Sequence, residues 1–201
     1  MTRTFIALEL DESLQRFLSD IIRRAAQELP DLRWVDPAGI HLTLAFLGEL
    51  TDERLAAAID ATQAAAQQAV PFEYRLKGLG VFGPSLQPRV IWMGVEDQPS
   101  GQVQGSPLQR LHRVLTKGLE QQGFEVEKRP FSPHLTLARV KQPLSPYEQQ
   151  SLQRLLHSKQ AGASSPMYRV NHVNVMKSEL SRAGAKYTCL REFGLVNSNL
   201  Q

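Results

Sequence analysis

With 201 residues, 42% of them hydrophobic and 21% charged, the chain is long enough to bury a sizeable core and too apolar to stay disordered. A net charge of +3 suits a phosphate-bearing partner but excludes a protein that coats nucleic acid through bulk charge. The single cysteine, Cys189, excludes an internal disulfide and a Cys-His zinc pattern, so a reducing, cytoplasmic setting is the simpler expectation.

Residues 3–10 read as a buried strand. Its apolar run Phe5-Ile6-Ala7-Leu8 breaks at Glu9, too short for a secretory signal, and no apolar stretch approaches the roughly 20 residues that span a bilayer. Neither export nor a membrane anchor is expected. Asp11-Glu12 suit a helix start, and Leu14, Phe17, Leu18, Ile21, Ile22 and Ala25 follow at helical spacing until Pro30. Arg33-Trp34-Val35 is a short extended piece, and Asp36-Pro37-Ala38-Gly39 a turn into the strand that starts at His41. Thr51-Asp52-Glu53 caps an alanine-rich helix to about Gln68. Phe72 to Phe82 is a long strand, and Arg89 to Val95 another after the Gly83-Pro84 turn.

Gln98 to Gly105 reads as a flexible surface loop. Ser106-Pro107-Leu108-Gln109 is a capping box opening a helix with Leu108, Leu111, Leu115 and Leu119 inside and Gly123 as its stop. A second apolar strand begins at His134, and Ser145-Pro146-Tyr147-Glu148 is another capping box. Met167 to Met176 and Tyr187 to Phe193 are the last two strands. Cys189 is expected to be buried in the second of them, and the tail after Val196 to fray.

One string recurs. His41-Leu42-Thr43-Leu44-Ala45 is repeated 93 residues on as His134-Leu135-Thr136-Leu137-Ala138. In a strand, residues two apart share a face, so each copy offers a histidine and a threonine on one side and two leucines on the other. The repetition is wider than the motif. Tyr74-Arg75-Leu76 matches Tyr168-Arg169-Val170, and Leu79, Val81 and Phe82 fall opposite Val173, Val175 and Met176. The chain therefore reads as two strand-helix-strand-helix-strand repeats, about residues 3–82 and 89–176, with a closing strand over 187–195. The expected fold is α+β and bilobal within one domain, residues 1–201: antiparallel-rich sheets line a central cleft, helices lie outside, and a pseudo-twofold axis relates the repeats.

Histidine both takes and gives a proton near neutral pH. Two imidazoles on either side of one phosphorus atom suit in-line phosphodiester cleavage, one taking a proton from water and the other giving one to the leaving oxygen. Thr43 and Thr136 would bind the non-bridging oxygens. The residue pattern supplies the pair without assigning the two roles, and it offers no carboxylate-rich metal site.

With these two His-x-Thr-x motifs the chain resembles the two-histidine (2H) phosphoesterase superfamily. Within it, it is most similar to the bacterial and archaeal RNA 2′,3′-cyclic phosphodiesterases, also called the 2′-5′ RNA ligase or LigT/ThpR-like family. The likeness is carried by His41 to Glu49, by Arg129-Pro130-Phe131-Ser132-Pro133-His134 to Val140, by Arg3-Thr4-Phe5-Ile6-Ala7, and by Ser178-Glu179-Leu180 through Gly184-Ala185-Lys186-Tyr187. The resemblance implies hydrolysis of RNA terminal 2′,3′-cyclic phosphate to a 2′-phosphate, without metal or cofactor, with His41 as proton donor and His134 as acceptor. It also implies reversible 2′-5′ joining of RNA ends. RNA bearing a cyclic end, tRNA fragments among them, is the expected partner, and the protein is expected to be monomeric. Phosphodiesterase action on small cyclic nucleotides or on ADP-ribose 1″,2″-cyclic phosphate, and a non-catalytic RNA-binding role, are the alternatives.

Arg139 and Phe46 occupy equivalent places after the two motifs. Arg139 is a candidate phosphate ligand and Phe46 a candidate base-stacking residue, but strict pleating puts both on the leucine face unless the strands bulge. Lys128, Arg129 and Lys141 could guide RNA by charge. Tyr187 either closes the cleft or packs. His112 and His157 fall on helices and are expected to have surface or packing roles, with His172 at most at the rim.

Overall fold

Each helix begins where a side chain supplies the acceptor that the first turn lacks. Asp11, Thr51, Ser106 and Ser145 accept from the backbone N–H three residues on. Gln109 and Glu148 return the bond to their caps, completing both expected capping boxes. Four α-helices result among the described residues: α1 (Glu12–Glu28), α2 (Asp52–Ala66), α3 (Pro107–Gln121) and α4 (Pro146–Leu156). A computed structural model describes residues 1–84, 87–97, 105–159, 161–181 and 184–196. Most of the surface loop expected over 98–105, and the tail after Val196, lie outside the described residues. None of the described helices is long and apolar enough to cross a membrane.

The described residues also form nine strands: β1 (Thr2–Glu9), β2 (Arg33–Trp34), β3 (His41–Leu50), β4 (Phe72–Phe82), β5 (Val90–Asp97), β6 (His134–Arg139), β7 (Tyr168–Val170), β8 (His172–Ser181) and β9 (Gly184–Gly194). They build two antiparallel sheets, ordered β3-β1-β8-β9 and β2-β6-β5-β4-β7. The fold is α+β, as the sequence indicates. The sheets, however, do not each hold one repeat. The last long strand of the first repeat, β4, pairs with β5 of the second, and β8 of the second repeat pairs with β1 of the first. The order β3-β1-β8 in one sheet is thus matched by β6-β5-β4 in the other, each repeat lending a strand to its counterpart.

Two further strand expectations change. Met167 to Met176 is not one strand: β7 belongs to the second sheet and β8 to the first, and at Asn171, between them, the carbonyl accepts from Leu195 N–H at 2.7 Å. Cys189 is exposed rather than buried, because β9 is an edge strand with one row of neighbours.

The leucine faces of both motif strands enter one core. Leu42 and Leu44 of β3 and Leu135 and Leu137 of β6 are all buried in it, beside Leu14 and Leu18 of α1, Ala58 and Ala61 of α2, and Leu111 and Leu115 of α3. Burying a leucine side chain is worth about 1.5–3 kcal/mol, so this face is fixed by the strongest term in folding. The histidine faces must then turn the other way.

Candidate active site

The two motif strands come from different sheets and approach within 8 Å between Cα atoms. His41 and His134 each begin their strand, and each ring is anchored in the same way. His41 Nδ1 bonds to the Gly39 carbonyl at 3.1 Å, and His134 Nδ1 to the Ser132 carbonyl at 2.8 Å. A carbonyl accepts only, so Nδ1 is the N–H nitrogen and Nε2 is the one left to exchange a proton. Neither Nε2 has a partner among the described residues, and the hydroxyls of Thr43 and Thr136 likewise bond to no other described residue.

Around these equivalent anchors the surroundings differ. The His41 ring stacks on Phe5 at 4.5 Å between centroids and meets the edge of Tyr187 at 4.8 Å. Burial pushes its pKa down to about 4, against which the bond to Gly39 works only partly. His134 instead meets Phe82 edge-on at 4.8 Å, with Trp92 at 6.4 Å. Tyr187 therefore packs as a wall of the His41 pocket.

A cavity of about 920 Å³ opens between the sheets and α3. Thr43 and Phe46 from β3, Phe82 from β4 and His134 from β6 line it, as do His112 and Thr116 of α3 and residues 125–127 and 129–132. The structure thus brings Thr43 and His134 into one space. His41 and Thr136 sit on the same strand faces two residues from them, outside that lining, and Arg139 lies outside it too.

Two bulges decide where Phe46 and Arg139 point. On β3 the pairing runs Ala7↔Thr43 then Ile6↔Ala45, so Leu44 is extra, and Phe46 then pairs with Phe5. On β6 it runs Trp92↔Thr136 then Ile91↔Ala138, so Leu137 is extra, and Arg139 pairs with Val90. An extra residue reverses the alternation after it. Phe46 and Arg139 consequently share the faces of the histidines rather than those of the leucines. Phe46 is 55% exposed, with the Arg3 guanidinium 4.9 Å above its ring.

The sequence model of the 2′-5′ RNA ligase superfamily matches residues 9–182 of the chain, a span that holds both motifs. The chain belongs to the 2′-5′ RNA ligase superfamily. It is 31% identical over 193 residues to an RNA 2′,3′-cyclic phosphodiesterase of Methanothermobacter thermautotrophicus, covering 96% of this chain and 98% of that protein. It is 30% identical over 194 residues to one of Geobacillus stearothermophilus, where it spans 96% of its own length but 57% of the relative's. Among solved structures, a protein of Thermus thermophilus superposes with a TM-score of 0.76 at 27% identity, covering 98% of this chain and 100% of that one. LigT of E. coli, crystallised with 3′-AMP, shares the fold at a TM-score of 0.70 and 24% identity, over 98% and 99% of the two chains.

In this superfamily member several site residues carry no motif of their own. Phe5, Phe82 and Trp92 wall the two histidines, yet in sequence they are ordinary strand aromatics. The one trace of Trp92 is a glycine across the sheet: a Cβ on Gly80 would stand 2.2 Å from the indole. Of the three basic residues flanking the second motif, Arg129 lines the cavity and is bonded to Glu127, which it holds down to about 2, while Lys128 and Lys141 are exposed and outside the lining. His157 caps α4 through Gln153, and His172 faces Glu192 at 4.0 Å. Among the described residues no group of three or more His, Cys, Asp or Glu is placed to hold a metal ion.

Proposed function

We propose that this protein hydrolyses the 2′,3′-cyclic phosphate at RNA ends to a 2′-phosphomonoester, with His41 as proton donor and His134 as proton acceptor. The observation that carries the reading is the pair of identically anchored imidazoles on strands that meet from opposite sheets, each leaving Nε2 without a described partner and each followed two residues on by a threonine. The curated relatives named above, both RNA 2′,3′-cyclic phosphodiesterases, support the substrate class.

Water attacks phosphorus opposite the 3′ oxygen and gives its proton to His134 Nε2. The bond from phosphorus to the 3′ oxygen breaks, and that oxygen takes the proton from His41 Nε2. The products are a 2′-phosphate and a free 3′-hydroxyl; solvent then resets the pair. Thr43 and Thr136 donate to the non-bridging oxygens as charge develops there, and Arg139, on the same face as His134, adds positive charge. Phe46, half-exposed beside Arg3, offers the terminal base an aromatic ring to stack on. Run backwards with a 5′-hydroxyl end in place of water, the same groups form and break a 2′-5′ linkage. The protein acts as a cytoplasmic monomer on RNA fragments, tRNA pieces included, and uses no metal.

The test is incubation with an oligonucleotide ending in a 2′,3′-cyclic phosphate, in the presence of EDTA. A 2′-phosphate product is expected, and His41→Ala and His134→Ala should each lower the rate by about 100-fold or more. A 3′-bridging sulfur separates the roles, since a thiolate leaves without a proton. It should restore turnover to His41→Ala but not to His134→Ala; the opposite pattern reverses the assignment, and no 2′-phosphate from the wild type overturns the reading.

A further inference from the structure

The cavity does not end at the catalytic face. It continues to α3, where His112 and Phe131 stack face to face with centroids 3.8 Å apart and planes 6° from parallel. Both rings are half-buried, and both line the same space as Thr43 and His134. Drug-sized ligands fill pockets of about 300–1,000 Å³, and at about 920 Å³ this one lies near the upper end. Burial holds His112 below the usual histidine range, so at neutral pH the pair is an uncharged, flat aromatic surface. Arg129 stands on the same rim. Its only ionic partner among the described residues is Glu127, and both side chains are largely exposed, so the guanidinium can turn to a phosphodiester at little cost.

We infer that the His112–Phe131 stack and Arg129 form a subsite for the nucleotide that precedes the cyclic end, the base lying against the aromatic pair and its phosphodiester meeting Arg129. The inference rests on the cyclic-phosphodiesterase reading above and extends it: the enzyme distinguishes an RNA chain end from a free cyclic nucleotide. A base has a π-face whatever its identity, so the subsite reads the presence of a preceding nucleotide more than its sequence. It lies on α3 and the 125–132 segment, away from the residues that handle protons, and so affects chain-length preference and not the chemical step.

The experiment compares kcat/KM for a nucleoside 2′,3′-cyclic phosphate with that for a dinucleotide carrying the same cyclic end, in the wild type and in His112→Ala, Phe131→Ala and Phe131→Tyr. The wild type should favour the dinucleotide. Each alanine variant should lose about tenfold on the dinucleotide while keeping wild-type turnover of the mononucleotide, and Phe131→Tyr should retain the preference. Mononucleotide turnover also shows that each variant is folded. Equal losses on both substrates, no loss on either, or a wild type indifferent to the second nucleotide overturn the subsite and leave the cyclic-phosphodiesterase reading standing. Failure of the wild type on both substrates removes that reading, and the subsite with it.

Discussion

His41 and His134 make the same bond to the carbonyl two residues back, yet only His41 lies flat on a phenyl ring. Repetition in the sequence supplies two like groups; a proton relay needs two unlike ones, and the difference comes from Phe5 and Tyr187. With a pKa of about 4 in the folded state against 6.5 for a free imidazole, His41 binds its proton more weakly when folded. As pH falls below 6.5 the unfolded chain takes up that proton first. Stability present above 6.5 is therefore lost progressively down to about 4, by roughly 3 kcal/mol at 1.36 kcal/mol per unit. Unfolding free energies of wild type and His41→Gln, followed from pH 7 to pH 4, should diverge in slope over that window, and parallel curves would refute the burial account. The kinetic counterpart is a limb near pH 4 in kcat/KM, which reports the free enzyme. In kcat that limb should move upward, because a bound phosphate anion favours the charged ring.

Individual elements were largely legible. The capping boxes at Ser106 and Ser145 fixed two helix starts, and the stop at Gly123 is a left-handed turn, φ 73°, in which the N–H groups of Gly123 and Phe124 reach back to Glu120 and Leu119. What alternation could not show was the phase change inside a strand. The bulges at Leu44 and Leu137 turn Phe46 and Arg139 onto the histidine faces, and nothing in a run of leucines marks the extra residue. Nor does an arginine on one helix announce that it closes another: Arg54 of α2 donates to the carbonyls of Gln122 and Gly123 and covers Phe124 at 3.8 Å. Arg54→Ala should cost about 1–2 kcal/mol in unfolding free energy, loosening the end of α3 first by hydrogen exchange. The sheet wall behind His134 is tested at Gly80. Its bare backbone receives the indole of Trp92, and a methyl group there would overlap it. Gly80→Ala should destabilise by about 1–3 kcal/mol and shift the His134 ring resonances while sparing those of His41; unchanged spectra would mean the indole is not held there.

At the scale of the whole molecule the sequence shows a duplication, and the natural reading of a duplication is one unit per copy. The sheets contradict that reading. Local pattern records which residues are apolar and says nothing about which strand lies beside which, and it is pairing that exchanges β4 and β8 between the halves. The exchange has a thermodynamic consequence. Residues 1–86 contain β1 and β3 as a pair but hold β4 without either neighbour, since β5 and β7 both come from the second half. A two-stranded sheet is marginal in water, and the core that would support it includes Met93, Leu108, Leu111 and Leu135, again from the second half. Fragments 1–86 and 87–201 should therefore each lack a cooperative thermal transition when prepared alone. Mixed, they should recover one, together with the cyclic-phosphate turnover that needs His41 from the first fragment and His134 from the second. A cooperative transition in fragment 1–86 by itself would mean that the exchanged strands are dispensable, and that each copy carries enough of the core to fold unaided.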